Sequence, residues 1–218
     1  VIITDSNGDE HLVTTDTNTY GTGGTTRKRT LVYAANGIDL LEERGNSSEL
    51  LRSYTYNSRH QVLTAREYAN ASTYYTTTFT YDAYGRLSTV VYPTGRKITF
   101  AYDAQGRISQ VATQPASGSP VTPLAFDFVY GYPFAGPQSF QYGNGHWYYQ
   151  SRDQDYRPWI GFDGPRYKMN SYDEAGNVKA VNDINNTSVT YAYDATGRLA
   201  SALDSKTGGF GSLGYSYD

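Results

Sequence analysis

Tyr81-Asp82-Ala83-Tyr84-Gly85-Arg86-Leu87 decides how this chain folds, because the same seven-residue phrase keeps returning. It recurs as Tyr102-Asp103-Ala104-Gln105-Gly106-Arg107-Ile108, as Tyr172-Asp173-Glu174-Ala175-Gly176-Asn177-Val178, and as Tyr193-Asp194-Ala195-Thr196-Gly197-Arg198-Leu199. The first two copies are 21 residues apart and so are the last two. A fixed period of this size is the signature of a repeat architecture, in which each unit buries its surface only against its neighbours. Weaker copies run through the rest of the chain: Tyr33-Ala34-Ala35-Asn36-Gly37-Ile38, Tyr56-Asn57-Ser58-Arg59-His60-Gln61-Val62, and Arg152-Asp153-Gln154-Asp155-Tyr156-Arg157. His60 stands where the stronger copies have Gly. The final Tyr217-Asp218 begins a further copy, and Val1-Ile2-Ile3-Thr4-Asp5 resembles neither a signal peptide nor a natural start, so a piece of something longer is expected.

Each phrase has a direct physical reading. Asp is favoured at the head of a type I turn because its carboxylate accepts backbone N–H groups further along, and Gly supplies the positive φ that a following bulge needs. Asp-x-x-Gly is therefore a hairpin loop. A second turn signal lies between copies, Tyr92-Pro93-Thr94-Gly95 and Tyr142-Gly143-Asn144-Gly145, each with its Gly eight residues before the next repeat Asp. One unit is two strands and two turns. In Lys97 to Tyr102 the residues Ile98, Phe100 and Tyr102 alternate with Lys97, Thr99 and Ala101, the period of a strand with one covered face. Leu87, Thr89 and Val91 are expected to share a face in the same way. Leu40-Leu41-Glu42-Glu43-Arg44 and Glu49-Leu50-Leu51-Arg52 look mildly helical in isolation, but they fall where the period demands strands. The Gly-rich Thr22-Gly23-Gly24-Thr25 reads as a turn.

Composition agrees. The 218 residues include 23 Tyr and 22 Gly but a single Met, the vocabulary of pleated strands and tight turns. The fold expected is all-β, a long antiparallel hairpin meander over residues 1–218, with an irregular insertion at about 114–139 where Pro, Gly and Ser give way to aromatic residues. Roughly twenty strands at about 4.8 Å spacing would make a ribbon near 95 Å wide, well past the ~10 strands an open twisted sheet tolerates, so the sheet should coil.

The Tyr-Asp-x-x-Gly-Arg-Leu units, with Tyr-Pro-x-Gly between them, resemble the RHS/YD-repeat family of bacterial polymorphic toxins, toxin-complex shell proteins and animal teneurins. The match runs from about Tyr33 to Asp218. The resemblance implies a spiralling β-sheet that closes into a hollow shell, around a toxic C-terminal domain in the bacterial members. It also implies secretion or cell-surface display, with the remaining repeats of a parent chain and an encapsulated toxin as partners. The family's self-cleaving core motif is not matched here, so no residue inherits a proteolytic role.

Other chemistry finds little support in the residues. A net charge of −3 without a basic block offers no footprint for a phosphate backbone, and no apolar run approaches the roughly 20 residues of a spanning helix. Without Cys there is no disulfide framework or thiolate metal site. The histidines, His11, His60 and His146, are scattered without metal spacing, and no nucleophile elbow or phosphate loop occurs. Neither a cofactor nor a metal is expected, and Asp183, Asn185 and Asn186 match no defined calcium loop. The repeat aspartates Asp82, Asp103, Asp173 and Asp194 recur at one turn position, so a structural role is expected for them. Arg86, Arg107 and Arg198 are expected to pair with acidic or aromatic neighbours. A different reading attaches to Gly145 through Trp159, which holds both Trp residues of the chain. There Trp147, Tyr149 and Trp159, with Asp153 and Asp155, could form a carbohydrate- or receptor-binding surface, since flat rings stack on sugar C–H faces while carboxylates take hydroxyls. The expectation is a structural, non-enzymatic wall, with glycan binding as the alternative.

Overall fold

The computed structural model describes residues 1–4, 9–20, 25–164, 166–183, 188–206 and 209–217. The Gly-rich stretch at 22–24, the candidate calcium residues Asn185 and Asn186, and Asp218 lie outside them. Nineteen β-strands and no helix occur among the described residues, and paired strands run antiparallel. In chain order the first nine are β1 (Ile2–Thr4), β2 (Glu10–Tyr20), β3 (Thr25–Tyr33), β4 (Leu40–Arg44), β5 (Leu50–Tyr56), β6 (Val62–Asn70), β7 (Thr73–Tyr81), β8 (Leu87–Val91) and β9 (Lys97–Tyr102). Then come β10 (Ile108–Gln114), β11 (Thr122–Val129), β12 (Ser139–Tyr142), β13 (Trp147–Arg152), β14 (Pro158–Asp163), β15 (Arg166–Tyr172), β16 (Val178–Asn182), β17 (Ser188–Tyr193), β18 (Leu199–Asp204) and β19 (Ser212–Gly214). The two stretches with local helical character became β4 and β5, because their partners were waiting on either side.

The chain divides into two compact units, Val1–Ala101 with Ala112–Thr122, and Tyr102–Val111 with Pro123–Asp218. In the first, β1 to β9 each pair with the next strand, and in the second β11 to β19 do the same. Hydrogen-bonded neighbours are thus always sequence neighbours, the pattern of a meander.

One feature recurs at several of the repeat hairpins. Tyr81 lies opposite Leu87 but Thr80 lies opposite Thr89, so Ser88 has no partner and forms a bulge. The same one-residue slip separates Thr55 from Tyr56, Ser171 from Tyr172, and Ala192 from Tyr193. A bulge reverses the in-out alternation beyond it and sharpens the local twist. This corrects the expected face of β8. Val90 lies opposite both Phe79 and Ile98, which places Val90 on the Leu87 side and moves Thr89 to the other, where its hydroxyl meets that of Thr80 at 2.6 Å.

Packing is thin. Only Val90, Ala112 and Ala202 are buried apolar residues among those described, and no large side chain there is fully enclosed. The solvent-accessible surface is 14514 Å², against roughly 10,000 Å² for a compact monomer of this mass. Side chains are covered by their lateral neighbours rather than by a second layer, so the hydrophobic contribution per residue is partial and cross-strand pairs carry a larger share.

Candidate functional site

The repeated turn is the most regular chemical feature of the molecule. At Asp82 the backbone N–H bonds the Arg86 carbonyl at 2.9 Å and the Gly85 N–H bonds the Asp82 carbonyl at 2.9 Å. Oδ1 of Asp82 accepts the N–H groups of Tyr84 and Arg86, and Oδ2 accepts Nε of Arg86 at 2.7 Å. Asp103 with Arg107, Asp153 with Arg157 and Asp194 with Arg198 repeat this arrangement. In the Asp173 turn the side-chain amide of Asn177 takes the guanidinium's place at 3.1 Å. The glycines sit at φ values of 82° (Gly85, Gly106, Gly197) and 86° (Gly176), the left-handed conformation the spacing predicts.

These contacts fix the charge of the carboxylates. Partial burial works against ionisation of Asp82 and Asp103, but hydrogen bonds from their arginines and turn amides outweigh it and hold both below the ordinary range. Asp194 goes furthest, to about 2, because the Thr196 hydroxyl adds a donor to those of Arg198. Carboxylates saturated with donors in this way are poor bases, and their geometry is that of a backbone brace.

A second bond joins each unit to the one before. The repeat tyrosine donates its hydroxyl to the carbonyl of the first residue beyond the preceding turn: Tyr81 to Val62 at 2.8 Å, Tyr130 to Ile108 at 2.7 Å, Tyr193 to Val178 at 3.0 Å and Tyr217 to Leu199 at 2.8 Å. The turn arginine then lies over the ring of that incoming tyrosine, Arg107 over Tyr130 at 4.4 Å, Arg157 over Tyr172 at 4.4 Å and Arg198 over Tyr217 at 4.6 Å. So the arginine pairs with the acid of its own loop and the aromatic ring of the next, a stacked cation that adds to the hydroxyl bond.

The degenerate copies keep the backbone and change the side chains. His60 (φ 59°) and Tyr156 (φ 61°) hold the left-handed position without being Gly. His60 gains a partner in return, since its Nδ1 lies 2.8 Å from Oδ2 of Asp39 in the preceding loop. That hydrogen bond holds the Asp39 carboxyl below its usual range.

The aromatic stretch is divided by the pleat. Tyr149 lies opposite Phe162 and their rings are 5.8 Å apart, with Trp147 two residues away on the same face. Trp159 falls in the bulge of its hairpin, between the pairs Gln150 with Gly161 and Arg152 with Pro158. It emerges on the opposite face, the one shared by Gln150 and Lys168. Asp153 and Asp155 join neither ring group, because both are bound to Arg157 in the turn, at 2.7 and 2.9 Å. No three His, Asp or Glu side chains converge on a metal position among the described residues. Neither the tyrosine bond nor the bulge at Trp159 is read from the residues alone. The spacing from each repeat tyrosine back to the preceding turn could have revealed the first.

Two segments, residues 81–119 and 172–209, match the RHS Repeat family. No curated protein matches the chain in sequence. Among solved structures the chain is similar to the crystal structure of TcdB2-TccC3, with a TM-score of 0.65 and 18% identity over 93% of this chain and 13% of that one. The Tc holotoxin pore of Photorhabdus luminescens gives a TM-score of 0.57 and 16% identity over 93% of this chain and 12% of that one. The fold is therefore shared, and this chain spans about an eighth of the length of those proteins.

Proposed function

We propose that this chain, which carries RHS repeats, is a section of wall in a larger shell built from the same units, belonging to a secreted or cell-surface protein that encloses or presents a toxin or effector. The observation that carries the reading is the unit-to-unit bond. Each tyrosine hydroxyl and each stacked arginine reaches into the adjoining repeat, so the contacts that stabilise a unit are contacts to its neighbours. A sheet with so few enclosed side chains gains most when it is continued at both edges, since open strand edges are sites of unwanted pairing. The likeness to toxin-complex structures over almost the whole chain supports the same reading.

Protease digestion of the intact parent protein tests it. A segment outside the repeats that survives digestion when the repeats are folded, and is cut once they are unfolded with urea, is the expected result. Equal digestion of every non-repeat segment in both conditions would remove the enclosing role.

A further inference from the structure

The dipeptide Asn-Gly occurs at Asn7-Gly8, Asn36-Gly37 and Asn144-Gly145, the first outside the described residues. The other two occupy equivalent backbone. Each Gly closes a tight turn at positive φ, 68° for Gly37 and 87° for Gly145. Each Gly N–H bonds the carbonyl at the head of its turn, that of Ala34 at 2.9 Å and that of Tyr142 at 2.9 Å. Both dipeptides are exposed. Their side chains are held very differently. Nδ2 of Asn36 donates to Oδ2 of the buried Asp39 at 2.8 Å, and Oδ1 accepts the N–H groups of Ile38 and Asp39 at 2.9 and 3.1 Å. The side chain of Asn144 has a single bond among the described residues, from the His146 N–H to Oδ1 at 3.1 Å, and Nδ2 makes none.

That difference bears on a reaction open to both dipeptides. The backbone nitrogen of Gly attacks Cγ of the preceding Asn, a ring C–N bond forms, the Cγ–Nδ2 bond breaks, and Nδ2 departs as ammonia with the proton that the backbone nitrogen gives up. Water then opens the succinimide at either carbonyl, leaving aspartate or isoaspartate. In sum, water is consumed and ammonia released, with no oxidant or cofactor. Gly favours the attack because no side chain crowds its nitrogen. Cγ must swing toward that nitrogen, so the Asn side chain must first leave its own bonds. At Asn36 three bonds resist, one of them to a carboxylate whose charge also opposes the anionic tetrahedral intermediate. At Asn144 only the His146 N–H must be released. We propose that Asn144 is a site of spontaneous deamidation in the folded protein, and that Asp39 protects Asn36 from the same reaction. The product carboxylate adds a negative charge to a chain of net charge −3. Its isoaspartate form lengthens the backbone inside the turn that joins β12 to β13. This site goes beyond the wall reading and does not depend on it.

The test incubates the full chain at neutral pH in water labelled with heavy oxygen. Peptide mass spectrometry then follows conversion at positions 36 and 144, since the label enters each new carboxyl group. Position 144 is expected to convert about tenfold faster than position 36, or more, the worth of one hydrogen bond to a charged group. In urea that unfolds the chain the two rates should converge, because the dipeptides are then chemically alike. Asp39→Ala should raise the rate at position 36 toward that at position 144. Equal rates in the folded chain, a faster position 36, a ratio that persists in urea, or a folded Asp39→Ala protein with no acceleration at position 36 would each overturn the proposal. Should Asp39→Ala lose its circular dichroism signal, the comparison of folded with urea-unfolded chain decides.

Discussion

From β3 to β6 the side chains that meet across strands are charged, whereas from β11 to β13 they are rings. In the first region Arg29 reaches Glu43 at 2.8 Å, Glu43 reaches Arg52 at 3.3 Å, and Arg52 reaches Glu67 at 3.3 Å, an ionic row in which Glu43 is nearly enclosed. In the second, Phe128 stacks on Phe140 at 4.8 Å and Phe140 on Tyr148 at 4.8 Å, with Tyr142 edge-on to Phe140 at 4.9 Å. A turn of one backbone plan occurs in both, Asn57 to Gln61 in the first and Tyr142 to His146 in the second, the N–H of the first residue bonding the carbonyl of the last. Where the turn fixes backbone direction and register, the surface between turns is free to be ionic or aromatic, provided that each residue suits the one opposite.

Acid should separate the two regions most widely. The folded-state pKa of Asp194 is depressed to about 2 from 3.8, and those of Asp82, Asp103, Asp153 and Asp173 are lowered in the same direction. Groups with depressed values contribute stability that is present above the unfolded pKa and lost as pH falls through the folded one. Between about pH 4 and pH 2 every repeat turn should therefore weaken together. Hydrogen exchange over that window is expected to open β3 to β6 before β11 to β13, since Asp39, between β3 and β4, is also held below its usual range by its bond to His60. Simultaneous opening would mean that the contact between Asp39 and His60 has no energetic content.

Gly106→Val comes next. A β-branched residue forced to φ 82° should lower stability by about 2–3 kcal/mol in urea unfolding, and unchanged melting would contradict the turn assignment. Removing the central ring with Phe140→Ala should cost about 2 kcal/mol, less than in an enclosed core because the site is only half-buried. That loss should be insensitive to salt. Glu43→Gln should cost about 1 kcal/mol, since Arg29 and Arg52 are substantially exposed, and about 0.5 M NaCl should shrink the difference. The smallest expected effect is that of Tyr81→Phe, about 0.5–1 kcal/mol for one hydroxyl bond to the Val62 carbonyl.

Much of the fold was legible because the turns are local. Asp82 and Gly85 hold all the information their loop needs, and Leu40 to Arg44 were assigned to a strand by period against their own propensity. The face of Thr89 was not legible, because the bulge at Ser88 exists only in relation to the partner strand β7. The same cause hid the division of the aromatic stretch. Trp147 and Trp159 are close in sequence, but Trp159 itself falls in the bulge, and its face follows from the pairing of Gln150 with Gly161. Asp153 reads in sequence as a hydroxyl acceptor beside the aromatic rings, while the four-residue spacing to Arg157 already marks it as a turn brace.

The hydroxyl of Tyr81 on the Val62 carbonyl, repeated by Tyr193 on that of Val178, also sets the rule by which such a chain can change length. Duplicating or excising one whole period leaves every junction chemically identical to those already present, so growth by unequal exchange within a gene would be tolerated structurally. Losing half a period would strand a tyrosine without its carbonyl and an arginine without its ring, and would be selected against at both neighbours.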